Sequence, residues 1–172
     1  MTSLVESILS LTKMDNQEFK LELMNIDLIE FIDECLDVLR GISNDCSLSL
    51  ADSPYELYIQ TDPALLKRIL ENIISNSLRY ASRSIVISVT QEESSVLILI
   101  EDDGPGFTPE DLPHIFERFY KGTGGKTGIG LSFVWSAIHY MGGTIEAGNR
   151  IAPNCGAAYR LHLPLKIFQS QT

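Results

Sequence analysis

Between residues 62 and 100 the chain switches hydrophobic period, and that switch limits what it can fold into. Leu65, Leu66, Ile69, Leu70, Ile73 and Ile74 recur at helical spacing and form one apolar stripe. Asp62 and Pro63 stand where a cap and a first helical residue belong. The pattern predicts a helix over 62–81. Ile85, Ile87 and Val89 then alternate, and Val96–Ile100 is a continuous apolar run after the polar turn Gln91–Ser95. That reads as a hairpin whose second strand is expected to be buried on both faces. A helix with one apolar stripe, followed by apolar strands, must lie against a sheet.

The other segments extend this plan. Leu4, Ile8 and Leu11 suit a short amphipathic helix over residues 1–14, and 15–26 reads as linker with a short strand. Asp27 followed by Glu30 resembles a capping box. Leu28, Phe31, Ile32, Cys35, Leu36 and Leu39 follow on one helical face, and Gly41 ends it. Short strands are expected at Ser47–Ala51 and Leu57–Gln60. Residues 104–127 read as loop with a short helix around Glu110–Phe116. A third long helix is expected from Thr127 to Met141, with Leu131, Val134, Trp135, Ile138 and Met141 on its apolar face. Strands near Thr144–Ala147 and Ala158–Leu163 close the chain. Strands and helices do not alternate strictly, which argues against a doubly wound parallel sheet. The order predicts an α/β (α+β) two-layer sandwich, a mixed sheet with helices on one face.

The chain has 172 residues, the size of one domain, with 44% apolar and 21% charged residues. Thirteen Lys and Arg against 23 Asp and Glu leave a net charge of −10. Such a surface repels nucleic acid and anionic lipid. The longest apolar run falls far short of the roughly 20 residues that span a bilayer, and no signal peptide is expected. Cys35, Cys46 and Cys155 are isolated and odd in number. They are expected to be small buried hydrophobes in a reducing, cytoplasmic setting.

Seven of the twelve glycines fall between Gly104 and Gly130, where average usage would place about two. Glycine lets backbone approach a ligand, and glycine turns beside a helix N-terminus can cradle phosphate. Two familiar phosphate signatures fail. Gly125-Lys126-Thr127 lacks the upstream glycine of a P-loop, since position 120 is Tyr. Gly104-Pro105-Gly106 lacks the third glycine of a dinucleotide fingerprint.

Three elements carry the chemistry. Asp102 stands at the end of the apolar strand, next to Gly104 and Gly106, where its carboxylate needs a partner and an adenine amino group would suit. Asn72, Asn76, Arg79 and Tyr80 share one side of the second helix. Two carboxamide oxygens one turn apart can coordinate a hard cation such as Mg²⁺. Arg79 can reach phosphate and Tyr80 can stack on a purine. Gly125–Leu131 opens the third helix, exposing amides and a positive dipole end.

Together these residues resemble the catalytic ATP-binding domain of bacterial sensor histidine kinases, in the GHKL ATPase superfamily. Glu71–Tyr80 resembles the N box, Asp102–Gly106 the first glycine box, Phe116–Tyr120 the F box and Gly125–Leu131 the second glycine box. The resemblance covers about residues 27–165 and implies a Bergerat ATP-binding fold with a lid over about 107–127. It implies ATP and Mg²⁺ as ligands. Asp102 would bind adenine, Asn76 with Asn72 would hold the metal, Arg79 would contact phosphate and Tyr80 would stack near the base. Gly104, Gly106, Gly128 and Gly130 would shape the pocket and hinges, beside Thr127, Ile129 and Leu131. Phe116 and Phe119 would anchor the lid, and Lys121 would approach phosphate.

Relatives of this kind phosphorylate a histidine on a separate two-helix dimerisation domain. His114, His139 and His162 do not sit in that context. Residues 1–14 are expected to be the end of a dimerisation helix, 15–26 a linker, 27–165 the catalytic domain and 166–172 a tail. The expected function is transfer of the γ-phosphate to a histidine outside this chain, within a membrane-anchored two-component sensor. The expected partners are the dimerisation domain and a response regulator receiver domain, with the chain itself not inserted in the membrane. The alternatives are another GHKL ATPase or protein serine kinase, or a degenerate partner-binding module. Asn72 argues against hydrolysis, because it stands where a catalytic Glu would be needed, and Glu71 points about 100° away.

Overall fold

The computed structural model describes residues 2–41, 46–51, 53–122, 128–152 and 154–166. Helix α1 (Thr2–Asp15) leads to strand β1 (Met24–Asp27) and helix α2 (Leu28–Arg40). Strands β2 (Ser47–Ala51) and β3 (Tyr58–Thr61) precede helix α3 (Pro63–Tyr80). The hairpin β4 (Ser84–Gln91) and β5 (Ser95–Asp102) follows, then α4 (Gly130–Tyr140), β6 (Thr144–Asn149) and β7 (Ala157–Pro164).

Five strands form one sheet in the order β2-β4-β5-β7-β6. β2 pairs parallel with β4, and every other pair is antiparallel. The β2–β4 crossover carries β3 and α3, so α3 crosses the sheet. β1 and β3 form a separate antiparallel ribbon, tied to the end of the sheet where Gln60 N–H donates to the Leu165 carbonyl at 2.9 Å.

Local chemistry starts the helices where the residues predict. Asp62 accepts from Leu65 N–H at 3.0 Å and caps α3, with Pro63 in the first turn. Its second carboxylate oxygen takes Glu22 N–H at 2.9 Å and so pins the segment before β1. Asp27 caps α2 through Ile29 N–H. All six residues of the expected α3 stripe are buried, as are Leu28, Ile32, Cys35, Leu36 and Leu39 of α2. They meet the inward residues Ile85, Ile87, Val89, Val96, Ile98 and Ile100 of the hairpin in one core.

Several expectations are corrected. β5 is not buried on both faces: Val96, Ile98 and Ile100 are enclosed, while Leu97 and Leu99 are half-buried on the opposite face. Helices cover one side only, so the other side faces outward. The short helix expected at Glu110–Phe116 is a single 3-10 turn, Leu112–His114. α4 begins at Gly130 rather than Thr127, and its inward face carries Phe133 and Val134. Trp135 is instead exposed, stacked on His139 one turn later at 4.0 Å between ring centroids. With so many apolar residues around this short helix, fully buried Phe133 sets the rotation.

α1 packs against α4 through Ser7, Leu11 and Met14, while Ile8 is exposed. The Leu4 side chain lies outside the described residues. Arg68 of α3 reaches across to α1, donating to Ser7 Oγ at 2.7 Å and Ser10 Oγ at 2.9 Å. Its guanidinium also lies 4.2 Å from the Phe133 ring centre. Of the cysteines only Cys35 is buried; Cys46 is half-buried and Cys155 exposed. No helix of the described residues is long and apolar enough to cross a membrane.

Candidate functional site

A cavity of about 570 Å³ opens between α3, the start of α4, the ends of β5 and β7, and the segment after β5. That volume suits a drug-sized ligand. Asn72, Asn76, Arg79 and Tyr80 all line it, as the one-sided spacing on α3 requires. Asp102, Gly106, Gly128, Gly130 and Leu131 line it as well.

Asp102 is the last residue of β5 and is 2% exposed. Both hydrogen bonds it accepts fall on Oδ1, from Gly104 N–H at 3.0 Å and Ala157 N–H at 3.1 Å. Oδ2 takes no hydrogen bond from the described residues. A carboxylate so placed needs a donor, and the exocyclic amine of a base is one. The close approach of β7 to Asp102 depends on Gly156. Its φ of +130° disfavours a side chain, and a Cβ there would overlap the Asp102 carbonyl oxygen. Gly104 does not line the cavity. It lies beneath it, where a Cβ would overlap the Tyr80 carbonyl oxygen, so this glycine lets the end of α3 close on the strand end.

At the other end of the cavity each asparagine spends one amide proton on the protein. Asn72 Nδ2 donates to the Arg68 carbonyl at 2.7 Å, and Asn76 Nδ2 donates to Tyr159 Oη at 2.6 Å. Each side chain keeps Oδ1 for another use. A Cβ on Gly130 would come within 2.8 Å of Asn72 Oδ1, so the bare backbone of α4 leaves that oxygen its space. Two neutral oxygen donors one turn apart are the donor type that Mg²⁺ takes, together with phosphate and water. The residues present therefore fit a magnesium nucleotide.

The segment over the cavity is held at its root. Asn149 Oδ1 accepts from Phe107 N–H at 2.6 Å and Asn149 Nδ2 donates to the Phe107 carbonyl at 2.9 Å. The Phe107 ring meets Tyr159 edge to face at 5.6 Å. Tyr120 Oη donates to Asp111 Oδ1 at 2.6 Å, and both residues line the cavity. That bond to a carboxylate raises the Tyr120 phenol above its ordinary value.

Asp103 faces away from the site chemistry. Its carboxylate accepts from the N–H groups of Ser82, Arg83 and Ser84, at 2.8 to 3.1 Å, which ties β4 to the end of β5. Partial burial would raise its pKa. The three amides outweigh that and hold it below the usual carboxylate value.

Besides Gly104, four expected ligand-binding residues do not line the cavity. Phe116 packs against the core outside the cavity, and Ile129 is buried beneath it. Lys121 is exposed, and it does not line the cavity. Phe119 is 68% exposed and so anchors nothing in this arrangement. Its φ of +66° goes with a hydrogen bond from its N–H to the Gly128 carbonyl. Thr127 lies outside the described residues, as do Gly125 and Lys126. Sequence reasoning missed Tyr159, Phe107, Thr108, Asp111 and Ala157 as cavity residues. Tyr159 reads as one more apolar position in an alternating strand. Its distinguishing signal was a hydroxyl on an inward position, which needs a partner.

Comparison with known proteins gives the family and the fold. Residues 61–167 match the family model described as histidine kinase-, DNA gyrase B-, and HSP90-like ATPase. The chain is 32% identical over 169 residues to the signal transduction histidine-protein kinase AfsQ2 of Streptomyces coelicolor, covering 95% of this chain and 30% of that protein. It is 30% identical over 151 residues to the sensor protein RstB of Escherichia coli, covering 84% of this chain and 35% of that one. The chain thus spans about a third of the length of these curated relatives. The solved structure of the Acinetobacter baumannii histidine kinase AdeS superposes with a TM-score of 0.79 at 24% identity, covering 95% of this chain and 78% of that one. That likeness establishes the fold. The match over more than half of the sequence carries the family assignment: the chain belongs to the histidine kinase-, DNA gyrase B- and HSP90-like ATPases.

Proposed function

We propose that this chain is the ATP-binding catalytic part of a two-component sensor histidine kinase. It binds Mg²⁺-ATP and presents the γ-phosphate to a histidine on a dimerisation domain outside this chain. The observation that carries this reading is the two-ended cavity: a tied, buried carboxylate at one end, and two outward carboxamide oxygens at the other. Kinship with named histidine kinases supports the choice of reaction.

Asp102 Oδ2 accepts from the adenine amino group, and the Tyr80 ring lies against the base. Asn72 and Asn76 give Oδ1 to Mg²⁺, and Arg79 contacts phosphate. A Mg²⁺ ion held by these oxygens would supply neutralisation of the phosphate charge. The chain itself orients the nucleotide and excludes water, and no side chain here needs to act as a base. Residues 1–14 continue a dimerisation helix, 15–26 connect it and 27–165 form the catalytic unit. A response regulator receiver domain takes the phosphoryl group next, beneath a membrane-anchored sensor.

The test is transfer of label from γ-labelled ATP, with Mg²⁺, to the histidine-bearing segment of the full-length kinase supplied separately. Acid-labile label on that segment is the expected result. Release of free phosphate without transfer would favour an ATPase. No nucleotide binding by folded protein would favour a partner-binding module.

A further inference from the structure

Among the described residues Tyr159 is the largest fully buried side chain, and its hydroxyl meets Asn76 at 2.6 Å. Its ring is fixed on two sides. β7 pairs Tyr159 with Ile100 of β5, and Phe107 packs edge to face against the ring. Two residues earlier on the same strand face, Ala157 N–H holds Asp102 Oδ1. One strand therefore contacts both ends of the cavity, by a backbone amide at one and a side-chain hydroxyl at the other.

The two asparagines are oriented by different partners. Asn72 faces a backbone carbonyl, which can only accept, so its Nδ2 must point there and its Oδ1 away. Asn76 faces a phenol hydroxyl, which can accept from Nδ2 or donate to Oδ1; the geometry has it accept the Nδ2 proton at 2.6 Å. An amide rotated by half a turn would offer Nδ2 to the cavity, and an N–H group repels a cation. We propose that Tyr159 is a positioning residue for Asn76: its buried hydroxyl takes the amide proton and turns Oδ1 toward the cavity, where a divalent cation would use it. This rests on the magnesium-nucleotide reading above. It adds a partner that holds the ligand in place, a kind of residue whose loss weakens metal binding while leaving the ligand itself present.

The test uses Tyr159→Phe, which keeps the ring and removes only the hydroxyl. A non-hydrolysable ATP analogue is titrated calorimetrically with Mg²⁺ and again with a chelator. The wild type should bind more tightly with Mg²⁺. Tyr159→Phe should cut that metal-dependent gain roughly tenfold, with chelator-side affinity unchanged within about twofold. Asn76→Ala should also lose the metal-dependent gain, and the double variant should lose no more than Asn76→Ala alone. Equal losses with and without metal, or an intact metal gain, would overturn the proposal. A second readout needs no ligand. The Asn76 side-chain amide protons in the NMR spectrum of the free protein should include one shifted and protected proton that Tyr159→Phe releases. Identical Asn76 signals in both proteins would contradict the orientation. If the wild type shows no metal gain, the magnesium reading itself fails, and the amide signals still decide whether Tyr159 orients Asn76.

Discussion

At the sheet end of the cavity, Asp102 is 2% exposed and its carboxylate is tied by two backbone amides. At the opposite wall, residues 105–122 supply one three-residue 3-10 turn, and Phe119 is 68% exposed. The first wall is core strand that happens to end in a polar group. The second is loop, held by its root at Asn149 and by the Tyr120–Asp111 bond. A ligand with a rigid base and a flexible phosphate chain matches that division.

The sheet end should be the easier one to break. Gly156→Ala forces a Cβ into the Asp102 carbonyl at a φ of +130°. Strain plus overpacking should cost about 3 kcal/mol or more. Differential scanning calorimetry should show the thermal midpoint falling by about 6–12 °C. A midpoint within a degree of wild type would mean that β7 and β5 are not pressed together there.

Asp102→Asn sharpens the contrast, because it keeps an acceptor for both amides and changes only what faces the ligand. Nucleotide affinity should fall roughly 10- to 100-fold, since a hydrogen bond to a charged group is worth about 1.5–3 kcal/mol. The thermal midpoint without ligand should change far less than in Gly156→Ala.

The neighbouring carboxylate should respond to pH. Asp103 has its folded-state pKa depressed, so its stabilisation is present above the ordinary Asp pKa of about 3.9 and is lost as pH falls through the folded value. Asp103→Ala should lower the thermal midpoint at pH 7, and the difference from wild type should vanish as the pH drops below that window. A difference that persists in acid would point to packing rather than charge.

The smallest effect belongs to the loop side. Arg118 pairs with Asp15 of α1 at 2.8 Å, with both side chains nearly half exposed. Removing it with Asp15→Ala should cost no more than about 1 kcal/mol, seen as a shift of less than about 4 °C. A larger shift would mean that this pair, and not Leu11 and Met14, holds α1 down.

How much was legible follows the same division. The α3 stripe and its cap could be read directly, because a 3.6-residue period and an Asp-Pro start depend on local chain alone. The same spacing placed Asn72, Asn76, Arg79 and Tyr80 along one wall before any tertiary contact was known. Asp102 could be read from a strand running into glycines. Tyr159 could not, since its partner Asn76 lies 83 residues away and an alternating strand hides a hydroxyl among apolar neighbours. Phe119 was assigned to the lid through the resemblance of Phe116–Tyr120 to an F box, and it lies 68% exposed at a φ of +66°. Ile8 and Trp135 failed for a simpler reason: α1 and α4 carry apolar residues around most of their circumference, so period alone does not select the inward face.

The central claim is that one cavity binds a magnesium nucleotide at two chemically distinct ends. Its most direct test is calorimetric titration of a non-hydrolysable ATP analogue, with and without Mg²⁺, into wild type, Asp102→Asn and Asn76→Ala. Asp102→Asn should lose affinity in both conditions, and Asn76→Ala only when Mg²⁺ is present. Folded protein that binds no nucleotide, or two variants that bind as tightly as wild type in both conditions, would contradict it.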